Sequence, residues 1–371
     1  MIFLGSNLRN ARLFHGYSQQ DLGDQVGCSK QFLSRLESGV DVPTLTLVHR
    51  LCERLAVLPA FFTEPDTMPI ADEQCHFRKQ LTTKVALRQS ARARGEFLKR
   101  MVDVLDQHLE LPTYDFEEGD ASTVESIEQA AERAREHWGL GLGPIENVTR
   151  VAENAGAVVM PLYGLAPEID AISFATRRPV IAMNADSKSA CRMRFGIAHE
   201  MGHFCLHIGQ QTGDKVTESQ ANRFASAFLM PRRFFAPECR GAIRSTRLNW
   251  PALSEIKRRW GVSKAAILYR GRQLGAFSEE QYRSGVISLN RRGEARSEVE
   301  DETMVVEAPD LIVDSIQTLR DAVGINRLAL AELMNVRGEL LQQLLAARFE
   351  NTEQVGNVVS IETARNSAVI R

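Results

Sequence analysis

The chain has 371 residues and carries 45 Lys and Arg against 47 Asp and Glu, a formal net charge of −2. That length allows two or three domains, and an apolar content of 44% predicts substantial buried cores. The balanced charge excludes coating of nucleic acid or membrane by bulk charge, while leaving room for one local basic surface.

No apolar run reaches membrane-spanning length, and Met1 to Asn7 lacks the basic and apolar regions of a secretory signal. The six cysteines (28, 52, 75, 191, 205, 239) form no C-x-x-C pair, so a cytoplasmic chain with reduced thiols and no membrane partner is expected.

Residues 1–58 hold short helical patterns. Ser18 is a good N-cap for Gln19 to Val26, Gly27 permits a tight turn, and Ser29 caps a second helix, Lys30 to Glu37. Leu22, Val26, Leu33 and Leu36 supply the apolar faces that join the two. The other side of the second helix presents Lys30, Gln31, Ser34 and Arg35, side chains able to read base edges in a major groove. One helix-turn-helix reads only a half-site, so a homodimer on a palindromic double-stranded operator is expected.

Pro59 to Pro69 breaks the pattern. A long helical pattern follows from Phe77 to Leu109, within a basic helical linker spanning 63–122. Its segment Arg78 to Arg100 carries Arg78, Lys79, Lys84, Arg88, Arg92, Arg94, Lys99 and Arg100 against only Glu96. Such a helix could contact phosphates, or pack against an acidic neighbour such as 115–120.

Helical patterns near 124–138 and 144–155 precede β-type runs at 157–161 and 179–184. Ser187 to His207 reads as one helix containing His199-Glu200-Met201-Gly202-His203. A spacing of four puts both histidines on one face, roughly 6 Å apart along the axis. Their imidazoles can then converge on one zinc ion at about 2.0–2.1 Å. Glu200 can reach a fourth, water-occupied position as general base, the zinc lowering the water's pKa towards about 7.

This short motif also arises by chance, so a third protein ligand is needed. His207 lies roughly 12 Å along the axis from His199, too far to join, and reads as a supporting or core residue. Glu218 opens the next apolar-periodic helix after a polar turn. Two antiparallel helices would return its carboxylate to the zinc, with Asp214 as its competitor. Cys205 points to a different face from His203 and reads as core.

Beyond Arg240 the chain stays largely helical, with an extended run near 302–307. Ile256 to Ser263 looks like a second helix-turn-helix, and Leu328 to Leu345 like a packing or dimer contact. Residues from about 352 read as a loose tail.

Ser18-Gln19-Gln20-Asp21-Leu22, Val26-Gly27, Leu33-Ser34-Arg35-Leu36-Glu37-Ser38-Gly39 and Pro43 resemble the phage-repressor (Xre-type) DNA-binding family. The resemblance implies a five-helix lambda-repressor-like domain over 1–62. It also implies base contacts from the Lys30–Arg35 face, a phosphate contact from Gln19, and a structural ion pair between Arg12 and Glu37. The candidate DNA-contacting set is Gln19, Ser29, Lys30, Gln31, Ser34 and Arg35. Gly23 departs from the usual alanine, weakening its helix by up to about 1 kcal/mol.

Arg194 to His203 with His207, Glu218 to Ala225, and Leu229-Met230-Pro231 resemble the ImmA/IrrE family of zinc metallopeptidases. Gly143-Pro144-Ile145 and Pro179-Val180-Ile181 add to the likeness. It implies a zincin-like domain over 123–275, with His199, His203 and Glu218 as zinc ligands and Glu200 as catalytic base. A helical C-terminal region, 276–371, would follow, and Ile256 to Ser263 would belong to the peptidase domain's helical tail. The second oxyanion donor stays open between Tyr163 and an arginine.

The expected fold is mainly α with a small β-sheet (α+β). The expected function is a DNA-binding transcription regulator whose zinc endopeptidase cleaves a repressor-type protein in a stress, DNA-damage or mobile-element response. The alternative is a non-proteolytic transcription factor or antitoxin-like repressor, with the peptidase fold as sensor or scaffold.

Overall fold

A computed structural model describes residues 2–66, 68–70, 84–162, 169, 171–185, 189–210 and 212–345. The N-terminal module comprises α1 (Gly5–Phe14), α2 (Gln19–Val26), α3 (Lys30–Glu37) and α4 (Leu45–Leu55), closed by a 3-10 turn over Pro59–Phe62 as its fifth helical element. Ser18 and Asp21 cap α2 reciprocally, Ser29 Oγ accepts from the Phe32 N–H, and Thr44 caps α4. The chain turns between α2 and α3 at Gly27, with φ 75°. Gly23 has a packing reason: a Cβ there would lie 2.6 Å from the Cys28 carbonyl oxygen. The lost helix propensity is exchanged for a closer turn.

The long helix α5 (Val85–His108) belongs to this module's core. Ala91, Phe97, Leu98, Met101 and Leu105 are buried in it, and Phe97 stacks on Phe61 with ring centroids 5.4 Å apart. Several of its cations are engaged locally. Lys99 pairs with Asp66 and Glu96, Arg100 with Glu64, and Arg94 lies over the Phe14 ring. Asp115, a candidate acidic partner, instead faces His137. Arg78 and Lys79 lie outside the described residues.

Next come α6 (Val124–His137), α7 (Val148–Asn154) and a sheet of β1 (Val158–Leu162), β2 (Ala171–Ala175) and β3 (Pro179–Asn184). The strand order is β1-β3-β2, with β3 parallel to β1 and antiparallel to β2. The sequence reading expects β1 and β3 but not β2. Two-residue periodicity divides the sheet between two cores. Val158, Met160, Ile172, Phe174, Val180 and Ala182 join the α5 core, while Val159, Ala171, Ile181 and Met183 join the other.

That second core is built on α8 (Ala190–Leu206) and α9 (Lys215–Leu229), with α10 (Arg232–Gly241) beyond. Two glycines set the approach of α8 to its neighbours. A Cβ on Gly196 would meet Met183 of β3 at 2.6 Å, and one on Gly202 would meet Phe224 of α9 at 3.0 Å. A hairpin, β4 (Ile243–Arg244) and β5 (Arg247–Leu248), leads to α11 (Trp250–Trp260), α12 (Lys264–Gln273) and α13 (Glu279–Arg291).

From Arg292 to Asp310 the chain runs without strand pairing, so the extended run expected near 302–307 is coil after a 3-10 turn at Val299–Glu302. Buried ions clasp this segment. Lys257 pairs with Glu298 and Asp301, Lys264 with Glu294 and Glu300, and Arg194 with Glu307. Glu153 accepts the backbone N–H groups of Asp310 and Leu311.

Helices α14 (Leu311–Thr318), α15 (Arg327–Leu333) and α16 (Gly338–Leu345) then return to the α5 core. Backbone hydrogen bonds join the returning chain to the N-terminal module: Leu58 N–H to Asn335 O, 2.9 Å, and Arg337 N–H to Ala56 O, 2.8 Å.

Candidate metal centre and DNA-reading face

The run His199-Glu200-Met201-Gly202-His203 lies in the C-terminal half of α8, its residues all buried. His199 Nε2 and His203 Nε2 are 3.1 Å apart. Glu218, in the first turn of α9, places one carboxylate oxygen 3.4 Å from His199 Nε2 and the other 3.3 Å from His203 Nε2. Asp214 is occupied elsewhere: its carboxylate caps α9, accepting from the N–H groups of Val216 and Thr217.

Two imidazoles and a carboxylate are an ordinary zinc donor set. Ligand atoms around a tetrahedral zinc at about 2.0–2.1 Å sit about 3.3 Å from one another, close to the three separations here. Apart from the two ring nitrogens, neither buried oxygen of Glu218 has a hydrogen-bond partner. The residues present therefore fit a cation.

The electrostatics agree in direction. Burial pushes the His203 pKa down to about 4, keeping its ring neutral and free to ligate. Burial alone would raise the Glu218 pKa. The two imidazoles outweigh that and hold its carboxyl well below the usual range.

Supporting contacts surround the three side chains. His203 Nδ1 meets His207 Nδ1 at 3.0 Å, His207 Nε2 meets Gln220 Oε1 at 2.9 Å, and Gln220 Nε2 donates to Ala121 O at 2.8 Å. That chain has one consistent assignment of protons. The Gln220 amide donates to Ala121, so its oxygen accepts from His207 Nε2–H. His207 Nδ1 then accepts from His203 Nδ1–H, which leaves the lone pair of His203 Nε2 facing the cluster. His199 is braced through Nδ1 by Asn222 Oδ1 at 3.2 Å. His207 thus supports His203 from outside the three-residue cluster, where its distance along the helix also places it.

Glu200 points to the sheet side of α8, where Ser173 Oγ donates to its Oε2 at 2.5 Å. Ser173 faces α8 because the β2 register turns Ile172 and Phe174 to the opposite core. Sequence reasoning missed it; a lone serine in a short apolar run was the only trace.

Glu200 and Glu218 line a groove of about 1140 Å³. Phe195, Val262, Ala266 and Tyr269 give it an apolar wall, and Arg192, Lys215 and Arg223 give it cationic groups. Ala266 and Tyr269 of α12 belong to that wall, so α12 borders the groove instead of offering a free recognition helix. Arg223 is held by Glu128 at 2.5 Å. Tyr163, the other oxyanion candidate, lies outside the described residues.

In the N-terminal module, Ser29, Lys30, Gln31, Ser34 and Arg35 are exposed along α3. Ser29 Oγ is engaged as the helix cap, and Arg35 pairs with Asp41 at 2.8 Å. Gln19 donates to Glu37 Oε2 at 2.9 Å, and Arg12 makes the ion pair with Glu37 that the resemblance implied.

The two sites define a chain with a helix-turn-helix at its N-terminus and a zincin-like fold behind it. Residues 4–60 match the family described as a helix-turn-helix domain, and residues 152–271 match a peptidase family described as the IrrE N-terminal-like domain. The chain therefore joins a DNA-binding helix-turn-helix domain to a peptidase-family domain of the IrrE type. Among curated proteins none matches it. No helix of the described residues is long and apolar enough to cross a membrane.

Proposed function

We propose that this chain is a DNA-binding regulator carrying a zinc-dependent endopeptidase. It acts in the cytoplasm as a homodimer on a double-stranded operator, and cleaves a repressor-type regulatory protein in a stress, DNA-damage or mobile-element response. The observation that carries the reading is the convergence of His199, His203 and Glu218 beside Glu200 at the edge of the groove.

His199, His203 and Glu218 would hold zinc, which when bound supplies Lewis-acid polarisation and an acidified water. Glu200 would take the proton of the attacking water and pass it to the leaving amine nitrogen. The donor from Ser173 fixes the carboxylate for that role. The groove's apolar wall would bind substrate side chains and lower water access to the scissile bond. On the DNA side, Lys30, Gln31, Ser34 and Arg35 would reach base edges, Arg35 after leaving Asp41.

The test is a mass-spectrometric comparison of cellular proteins with wild type and Glu200→Gln, with and without DNA damage or phage infection. A cleavage product that depends on Glu200 is expected. Identical fragment sets would leave the non-proteolytic regulator as the better reading. Substoichiometric zinc after gentle purification would point the same way.

A further inference from the structure

Charge is unevenly distributed along this chain. Residues 232–296 hold fifteen Lys and Arg against five Asp and Glu, in a protein of net charge −2. The two lysines of this stretch, Lys257 and Lys264, are buried in ion pairs. Every exposed cation there is therefore an arginine.

Contacts lay the hairpin and α13, which carry several of those arginines, side by side. Gln281 Nε2 donates to Thr246 O at 3.0 Å, which lays the start of α13 on the β4–β5 turn. A Cβ on Gly285 would be 2.9 Å from Leu248 Cδ1, and the Arg292 guanidinium lies 4.4 Å over the Trp250 ring. Hairpin and helix therefore run side by side from Thr246 and Gln281 to Trp250 and Arg292. Eleven residues of α13 span about 16 Å. Arg244 and Arg247 face each other as register partners near one end, and Arg291 and Arg292 stand at the other. Arg240, in the last turn of α10, leads into the hairpin, and Arg296 follows α13.

Among the described residues, Arg240, Arg244, Arg247, Arg291 and Arg296 have no carboxylate within ion-pair distance. The nearby acids are few. Glu279 pairs with Arg272 and Arg283, Glu238 pairs with Arg259, and Glu255 and Glu280 are exposed. Nor does the C-terminal sequence supply counter-charge, since residues 346–371 contain three arginines and three glutamates.

We propose that this arginine surface of α10, the β4–β5 hairpin and α13 binds the phosphate backbone of duplex DNA, independently of sequence and of the α3 face. A duplex carries one charge per about 1.7 Å of axis, so about 16 Å offers roughly nine phosphates. Guanidinium is suited to them because it can donate two parallel hydrogen bonds to one phosphate. The need is also apparent in the helix-turn-helix module. Residues 1–62 contain six Lys and Arg against five Asp and Glu, too little excess charge to hold a polyanion. Phosphate contacts position a protein while base contacts specify; here the two duties fall on separate parts of the chain. The proposal does not depend on peptidase activity.

The test uses the full-length protein and a 30-base-pair duplex of arbitrary sequence, with affinity followed by fluorescence anisotropy from about 50 to 200 mM salt. The variant Arg244→Ala/Arg247→Ala/Arg292→Ala alters exposed side chains, and its melting temperature serves as a folding control. Losing three phosphate contacts should lower the slope of log K against log salt by about 2.7 and weaken binding at least tenfold at the lowest salt. Lys30→Ala/Arg35→Ala should leave at least half of the wild-type slope on the same duplex. An unchanged slope in the triple variant overturns the proposal. So does a triple variant that keeps duplex affinity but loses binding to phosphatidylserine vesicles, which would make the surface a membrane contact.

Discussion

The sharpest test of the candidate metal centre is a residue that does not touch the metal. His207 is 3% exposed and stands between His203 and Gln220 in a line of hydrogen bonds that ends at the Ala121 carbonyl. Replacing it with alanine removes the acceptor that holds the Nδ1 proton of His203. The His203 ring is then free to rotate or to carry its proton on the wrong nitrogen. Loss of such a support lowers metal affinity by about 10- to 100-fold, or about 1.4–2.7 kcal/mol.

The same change leaves Gln220 Oε1 without its donor, which costs about 1–3 kcal/mol of folding stability. The two effects separate by assay. Zinc affinity comes from competition with a chromophoric chelator, and folding stability from thermal melts of metal-free protein. His207→Asn restores an acceptor near the lost Nδ1 and should recover part of the zinc affinity. If His207→Ala bound zinc as wild type and only its metal-free melting temperature fell, His207 would be packing alone and the proton assignment would be wrong.

Three further outcomes follow from the same geometry. Ser173→Ala should slow peptide cleavage about 10- to 100-fold with bound zinc unchanged, as expected for one hydrogen bond to a charged group; equal turnover would remove Ser173 from any catalytic role. Glu37→Ala should destabilise the N-terminal module by about 3–5 kcal/mol, because Arg12 would keep a buried charge with only the Tyr17 carbonyl as partner. A urea midpoint shift worth less than about 1 kcal/mol would contradict that. Glu153, near Arg150 and Asp310, has its pKa raised by burial from an ordinary 4.5 to about 7. Its contribution to stability is full below pH 4.5 and declines as pH rises through 7, by on the order of 3 kcal/mol. Glu153→Gln should flatten the melting temperature between pH 5 and 8, and parallel curves for the two proteins would rule Glu153 out as the titrating group.

The legible parts of the fold were those written in local chemistry. Ser18, Ser29 and Gly27 mark helix ends through their own backbone preferences, and the convergence of His199 and His203 follows from their spacing of four on one helix, whereas Glu218 had to be placed by the packing of a second helix. β2 was hidden because Ala171 to Phe174 are buried on both sides, so no polar residue alternates except Ser173. The surroundings of α5 were hidden for a different reason. Its partners Glu64 and Asp66 lie more than thirty residues away in sequence, and nothing about a run of arginines announces which are already paired. The His207 relay was only half legible. Distance along the helix excluded the residue from the ligand set, but its bond to Gln220 depends on how two helices pack.

The returning helices α14 to α16 also bear on how this protein is made. Leu330, Leu340, Leu341 and Leu344 complete a core begun by Leu55, Val57 and Phe61, yet the ribosome delivers the whole peptidase-family region in between. At 5–20 residues per second, the first part of that core waits roughly 15–60 s for its last part. Until then the nascent helix-turn-helix exposes apolar surface that the finished protein conceals, and any DNA it meets encounters a module without its final support. Full competence of the DNA-binding end therefore waits until α16 has been made, after the peptidase-family region has already emerged. Limited proteolysis of chains stalled before residue 311 would detect the interval as cleavage near Val57, absent from full-length protein.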